Sequence, residues 1–234
     1  MGFSYIGSVS NYIVNAGTTL DTVGSLNVAA NDVLVGAAGW ASATTLATIA
    51  ETGGGNALEM FDVVANTNTW LRMGRKIGAG ANNTTWRLTT DSLPYRYFCV
   101  MQFRPDAGET ITLDAGPSAG TGSSTAPQSG NINTSGTDEI IIGALSCFDY
   151  TTVTSELVAD GAATGAVDVG AAGEILLGMW YKIFTGDPGD AIHAQATLGD
   201  AFNWCADIVA IKSVAAAGGV PIAIYKKYYD MRRQ

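Results

Sequence analysis

Residues 31–40 read "NDVLVGAAGW": an Asn-Asp turn signal, then eight residues without a charge. Residues 137–148, "TDEIIIGALSCF", carry the same pattern. Short runs of this kind, apolar on both faces and opened by turn residues, read as buried strands rather than helices. Further runs of the same type cover 97–103, 175–184 and 205–211. All five are expected to be central strands. Other stretches alternate cleanly. In "TTWRLT" (84–89), Trp86 and Leu88 face one way and Arg87 and Thr89 the other. In "AIHAQATL" (191–198), Ile192, Ala194, Ala196 and Leu198 oppose His193, Gln195 and Thr197. Period-2 alternation marks half-buried antiparallel strands. Turn signals such as "TGGGN", "RPDAG" and "GDPGD" separate the runs at short intervals. "TTLATIAE" (44–51) is the one stretch that also reads as a helical turn or two.

The repeated phrase extends beyond itself. Val33-Leu34-Val35-Gly36 recurs as Ile140-Ile141-Ile142-Gly143, 107 positions on. Lys76-Ile77 recurs as Lys182-Ile183, and Cys99 aligns with Cys205, each 106 positions on. Self-similarity at a near-constant spacing points to duplication, with repeats over about 20–104 and 125–213. Convergence of apolar strands on similar phrases is the alternative. Duplication predicts that 33–38 and 140–145 occupy equivalent positions about a pseudo-twofold axis. Neither half is expected to bury both faces of its sheet alone, so the halves should complete one sandwich. Between them, "DAGPSAGTGSSTAPQSGNINTSG" (114–136) reads as a linker or, preferably, as an ordered crossover, since Ala126 and Ile132 keep strand-like spacing. The expected fold is all-β, an antiparallel β-sandwich of jelly-roll type over 1–219, followed by a C-terminal arm, 220–234.

The chain has 234 residues, only 14 % charged, with 29 glycines and a net charge of −9. Clustered Lys and Arg, which phosphate contacts require, are missing from its body, so nucleic acid is not an expected partner. The charge is uneven. Residues 1–224 hold 8 basic and 20 acidic side chains, whereas "YKKYYDMRRQ" (225–234) holds 4 basic and 1 acidic. Such a basic end suits an acidic partner surface; a solvated terminus is the bland alternative. Within 220–234 Pro221 favours an extended entry, and the residues that follow alternate. Tyr225, Lys226, Lys227, Tyr228, Tyr229, Arg232 and Arg233 have the composition of an assembly interface. A strand returning to the chain's own sandwich is the competing reading. No signal peptide is recognised at "MGFSYIGSVSN", and no apolar run approaches the ~20 residues that span a bilayer as a helix, so no membrane insertion is expected.

Catalytic patterns are sparse. His193, the single histidine, lies on the polar face of an alternating strand, and no G-x-S-x-G accompanies it. Cys99, Cys147 and Cys205 lie in apolar runs and lack CxxC spacing, which predicts buried, reduced thiols and neither disulfides nor zinc. Asp187 and Asp190 in "GDPGD" offer a weak calcium loop against an ordinary turn. Glu51 and Glu59 offer a weak glycosidase pair against solvated loop carboxylates. Neither metal nor cofactor is expected. Among the five tryptophans, Trp86, Trp180 and Trp204 read as core, and Trp70, between Thr69 and Leu71, is the candidate glycan contact.

The phrase order is informative in its own right: "NVAANDVLVGAAGW", a Lys-Ile strand, "WRLTTDS", "YFCVMQFRPDAGETITLDAGPSAGTGSSTAPQSGNINTSGTDEIIIGAL" and a closing "DIVAIKSV". Over residues 20–214 it resembles a family of tailed-bacteriophage virion proteins with a jelly-roll-like sandwich. In that family a turn and a D-apolar-apolar-apolar-Gly/Ala strand open each half. An aromatic-Arg strand end, here Phe103-Arg104-Pro105-Asp106, leads into the bridging tract. The resemblance implies a non-enzymatic structural protein in the virion, decorating the head or attached to neck, tail or fibre. Its implied partners are further copies of itself, with a trimer as the family's common form, and other virion proteins. The other readings are a carbohydrate-binding module or adhesin tip that contacts host-surface glycan, and, behind it, a glycan hydrolase.

Overall fold

The structure is a computed structural model, and it describes residues 2–41, 47–148, 152–158, 161–170 and 176–215. Those residues form strands and no helix. The first half contains β1 (Phe3–Ile13), β2 (Gly17–Val28), β3 (Val33–Trp40), β4 (Thr48–Glu51), β5 (Glu59–Met60), β6 (Val64–Asn66), β7 (Thr69–Lys76), β8 (Asn82–Leu93) and β9 (Arg96–Pro105). The second contains β10 (Glu109–Ala115), β11 (Gly120–Ser124), β12 (Asp138–Cys147), β13 (Val153–Val158), β14 (Gly161–Ala162), β15 (Gly165–Gly170), β16 (Leu176–Phe184), β17 (Ala194–Leu198) and β18 (Phe202–Ala215). The all-β, antiparallel, sheet-on-sheet class expected from the sequence is the one adopted.

The layering differs from a single shared sandwich. Each half has its own pair of sheets. In the first, an inner sheet of order β1-β9-β3-β7-β5, with β6 also on β7, faces an outer sheet β2-β8-β4. In the second, an inner sheet β10-β18-β12-β16-β15, with β11 also on β18, faces an outer sheet β14-β13-β17. The latter is extended by bridges Gln128↔Gln195 and Ile132↔Ile192. The two inner sheets pack on each other, with β3 against β12, β1 over β15, and β6 and β7 over β18. Four layers therefore enclose three cores. Leu34, Trp40, Trp86, Leu88 and Phe98 fill the first. Val35, Met73, Met101, Ile142, Met179 and Val209 fill the middle. Ile141, Trp180, Leu198, Trp204 and Ile208 fill the last.

This layering explains why residues 33–40 and 140–147 are apolar on both faces. Val33, Val35 and Ala37 point into the middle core, and Leu34, Ala38 and Trp40 into the first. Ile140, Ile142 and Ala144 likewise point into the middle, with Ile141, Leu145 and Cys147 into the last. A strand between two apolar layers cannot alternate in polarity. The glycine of the phrase has a steric cause at both sites. A Cβ on Gly36 would meet Leu58 Cδ1 at 2.6 Å and the Cys99 carbonyl at 3.0 Å; one on Gly143 would meet Ala194 Cβ at 2.5 Å. Pairing register follows suit, with Leu34 opposite Lys76 and Ile141 opposite Lys182. The closing strands are offset differently from the expectation. Ala37 faces Cys99, and Ala144 faces Asp207. Cys99 thus corresponds to Asp207 rather than Cys205.

Tertiary contacts decide two further readings, against the helix at 44–51 and for the ordered crossover at 114–136. Thr48–Glu51 is β4, a strand paired with β8, where "TTLATIAE" also suited a helix; residues 44–46 lie outside the described residues. Ile49 turns into the first core while Thr48 is exposed, and pairing with β8 satisfies a backbone that a short isolated helix would leave open. Residues 114–136 form an ordered crossover containing β11, with Ile132 buried and Ala126 exposed. The alternating strands behave as read: Trp86, Leu88, Ala194, Ala196 and Leu198 are buried, and Arg87, Thr89 and Thr197 are exposed.

Candidate functional site

Each repeated strand is headed by a buried acid. In the first half Asn31 takes φ 71°, the left-handed conformation that Asn tolerates, and closes a tight turn. The turn drives the Asp32 carboxylate inward, where it accepts hydrogen bonds from Ala29 N (2.8 Å), Gln102 Nε2, and Arg104 Nε (2.8 Å) and Nη2 (3.0 Å). Burial by itself would raise the Asp32 carboxyl, but Arg104, Ala29 and Gln102 outweigh it and hold it below the ordinary range.

Glu139, the second residue of β12, occupies the corresponding place 107 positions after Asp32, and its neighbourhood is rebuilt. Its side chain is fully buried and accepts from Gly136 N at 2.6 Å. Lys212, the cation opposite it on β18, turns to Asp114 of β10. Asp114 also accepts from Ser135 N (2.6 Å) and Ser135 Oγ (2.7 Å), and Lys212 Nζ donates to Ser135 Oγ at 2.9 Å. Burial first, then the hydrogen bond to Asp114 and the charges of Asp114 and Asp187, push the Glu139 carboxyl up to about 8. Burial opposes ionisation of Asp114 as well, yet hydrogen bonds from Glu139, Lys212 and Ser135 take its carboxyl well below the usual range. At neutral pH Glu139 therefore keeps its proton and donates it to an ionised Asp114. Carboxyl pairs of this type can perform acid–base chemistry. Here the Glu139 side chain is fully buried and the Asp114 side chain only 2 % exposed, so the pair pins residues 134–136 to the inner sheet rather than meeting a solute.

The residues singled out in the sequence are scattered over the fold. His193 Nε2 lies 3.1 Å from Gln195 Oε1 on the solvent side of the outer sheet. Asp187 Oδ1 accepts from Gly189 N at 2.9 Å, a turn-stabilising contact. Glu51 corrects the expectation of a solvated loop carboxylate: it is 5 % exposed and accepts from Asn56 N (2.9 Å), Asn56 Nδ2 (2.8 Å) and Asn82 Nδ2 (2.8 Å). These bonds close the "TGGGN" loop. Glu59 is exposed and pairs with Arg75 at 3.5 Å. Among the described residues no group of three His, Cys, Asp or Glu side chains could hold a metal. Cys99, Cys147 and Cys205 are buried thiols in no disulfide, and burial pushes the Cys99 and Cys205 thiols up to about 12. Trp86, Trp180 and Trp204 are core residues. Trp70 is half-buried against the first core, paired across the sheet with Trp40. Tyr225, Lys226, Lys227, Tyr228, Tyr229, Arg232 and Arg233 lie outside the described residues. No helix among the described residues is long and apolar enough to cross a membrane.

The accessible feature is an edge with a groove beside it. Among the described residues β1 bonds to β9 alone, and it presents Tyr5, Ile6 and Tyr12 at 36, 42 and 43 % exposure. At its Phe3 end an open groove of about 700 Å³ is lined by Ser4, Ile6, Asn31, Arg104, Asp106 and Glu109. Glu109 Oε2 is buried there and accepts no hydrogen bond from the described residues. Sequence reading missed Asp114, Glu139 and Glu109; extending the repeated phrase by one residue, to Asp32 and Glu139, would have flagged the second. Compared with family models, curated proteins and solved structures, the chain matches none.

Proposed function

We propose that the protein is a non-enzymatic structural component of a tailed-bacteriophage virion that works by assembling with copies of itself and with other virion proteins. The observation that carries this reading is the strand order. Count eight successive segments in the first half: β1, β2, β3, β4, residue 57 bridged to Ala50, β7, β8 and β9. One sheet then holds segments 1-8-3-6 and the other 2-7-4-5. The second half repeats this with β10 and β11, the 128–132 segment, β12, β13, β14, β16, β17 and β18. This order fits the winding of a jelly roll, a fold used in viral capsid and lectin domains, and so supports the reading. Its occurrence twice, with matched glycines and matched acids, supports duplication about a pseudo-twofold axis through β3 and β12.

The acid pair that would interest an enzymologist is sealed, which favours a scaffold over a hydrolase. Trp70, half in the core, is a poor platform for sugar, which weighs against the carbohydrate-binding alternative. Light scattering on the purified full chain tests the structural reading: a defined oligomer is expected, and a trimer is the form the resemblance implies. A chain that stays monomeric at every concentration refutes it. Glycan binding abolished by Trp70→Ala would replace it with the adhesin reading.

A further inference from the structure

Three adjacent strands bring one amine and two carboxyls together. β18 runs between β10 and β12. It carries Lys212, with Glu139 of β12 directly opposite. On the other side the pairing of β10 shifts between Leu113 and Ala115, and a bulge of this kind re-aims a side chain, here Asp114, toward Lys212. Lys212 Nζ reaches Asp114 Oδ1 at 2.5 Å. Ser135 donates to both Asp114 oxygens and accepts from Nζ, which fixes amine and carboxyl against each other. Glu139 Oε1 accepts from Gly136 N, whereas Oε2 is buried and accepts nothing from the described residues. Its carboxyl bonds to the Asp114 carboxylate, which can only accept, so Glu139 supplies the proton.

The first half supplies the contrast. Arg104 stands 108 positions before Lys212 and forks onto Asp32 through Nε and Nη2. A guanidinium stays charged and is no nucleophile, whereas a lysine amine that loses its proton is one. In the second half the cation is an amine, a second carboxyl holds a proton beside the first, and both carboxyls are shut off from water. Condensing an amine with a carboxyl asks for these things: a nucleophile held against the carbon, an acid to activate the carboxyl, and no bulk water to reverse the step. Burying two opposite charges is costly, and an amide carries neither.

We propose that Lys212 and Asp114 are joined by an intramolecular amide bond between Nζ and Cγ, with Glu139 as the proton carrier. Glu139 passes its proton to Asp114 and takes one from the Lys212 ammonium, and the neutral amine attacks Asp114 Cγ. The Nζ–Cγ bond forms and one Cγ–O bond breaks. Overall the ammonium and the carboxylate become an amide and one water. Glu139 ends protonated, as it began, and no oxidant, reductant or cofactor enters. The bond clasps β10, the first strand of the second half, to β18, its last, and it needs no partner chain.

Mass spectrometry on the purified full chain tests this. The wild type should be lighter than its calculated mass by one water. A tryptic digest should hold Asp114 and Lys212 in one branched species, uncleaved after Lys212. Lys212→Arg, which keeps a cation for Asp114, should have its full calculated mass and yield no branch. Glu139→Gln should leave the bond largely unformed, since general acid–base help of this kind is worth about 100-fold or more. Urea melts confirm that each variant is folded. A folded wild type at its full calculated mass overturns the proposal. So does a lost water that persists in Lys212→Arg, because it then comes from elsewhere in the chain. A branch formed equally well in Glu139→Gln overturns the role given to Glu139.

Discussion

Replacing Glu139 by Gln should flatten the pH dependence of stability between about pH 6 and 8. The sign follows from the direction of the shift. The folded protein holds the Glu139 proton up to about pH 8, whereas an unfolded Glu releases it near 4.5. A raised acid stabilises fully below its unfolded value, and that stability is lost as pH rises toward the folded value. Asp168 and Asp207, both pushed up to about 6, burial being the main cause, have the same sign but finish near pH 6. Asp114 is shifted the other way: it contributes above its unfolded value and loses that contribution only in acid, outside this window. Two pH units at about 1.4 kcal/mol each set a ceiling of roughly 3 kcal/mol for Glu139 between pH 6 and 8. Urea unfolding followed by tryptophan fluorescence at pH 6, 7 and 8 measures it. Wild type should weaken steadily, while Glu139→Gln, whose amide still donates to Asp114 but does not titrate, should vary much less. Equal slopes in the two proteins would refute a proton held at Glu139.

Gly143→Ala should cost about 1–3 kcal/mol of unfolding free energy, and more than Gly36→Ala. The new methyl at 143 meets the short, immobile Ala194 Cβ, whereas at 36 its closest neighbour is the movable end of Leu58. Cys99, Cys147 and Cys205 should resist iodoacetamide in native buffer and react together in denaturant, as mass spectrometry would show; fast native labelling of all three would contradict their burial. Trp70→Ala should lower stability by about 1–3 kcal/mol in thermal or urea melts, because the ring packs partly on the first core. A loss near zero would mean the indole serves something other than packing.

Strand identity was legible from the sequence because it is a local property. Polarity alternates at β8 and β17, where one face meets a core and the other meets water. It disappears at β3, β9, β12, β16 and β18, which lie between two cores. The repeated phrase and its glycine were equally visible, since the same crowding acts at Gly36 and Gly143. What the sequence could not state is which sheet covers which. An apolar run on both faces fits the centre of one sandwich as well as the inner layer of a stack, and only the long-range pairings of β9 and β18 distinguish them. β4 was ambiguous for a related reason: four residues are too few for period 2 and period 3.6 to separate. The acid pair lay beyond reach altogether. Asp114 and Glu139 are 25 residues apart in the chain, and each taken singly reads as an ordinary surface carboxylate. Only the packing of β10, β12 and β18 with the 134–136 turn brings them together, excludes water and leaves one proton between them.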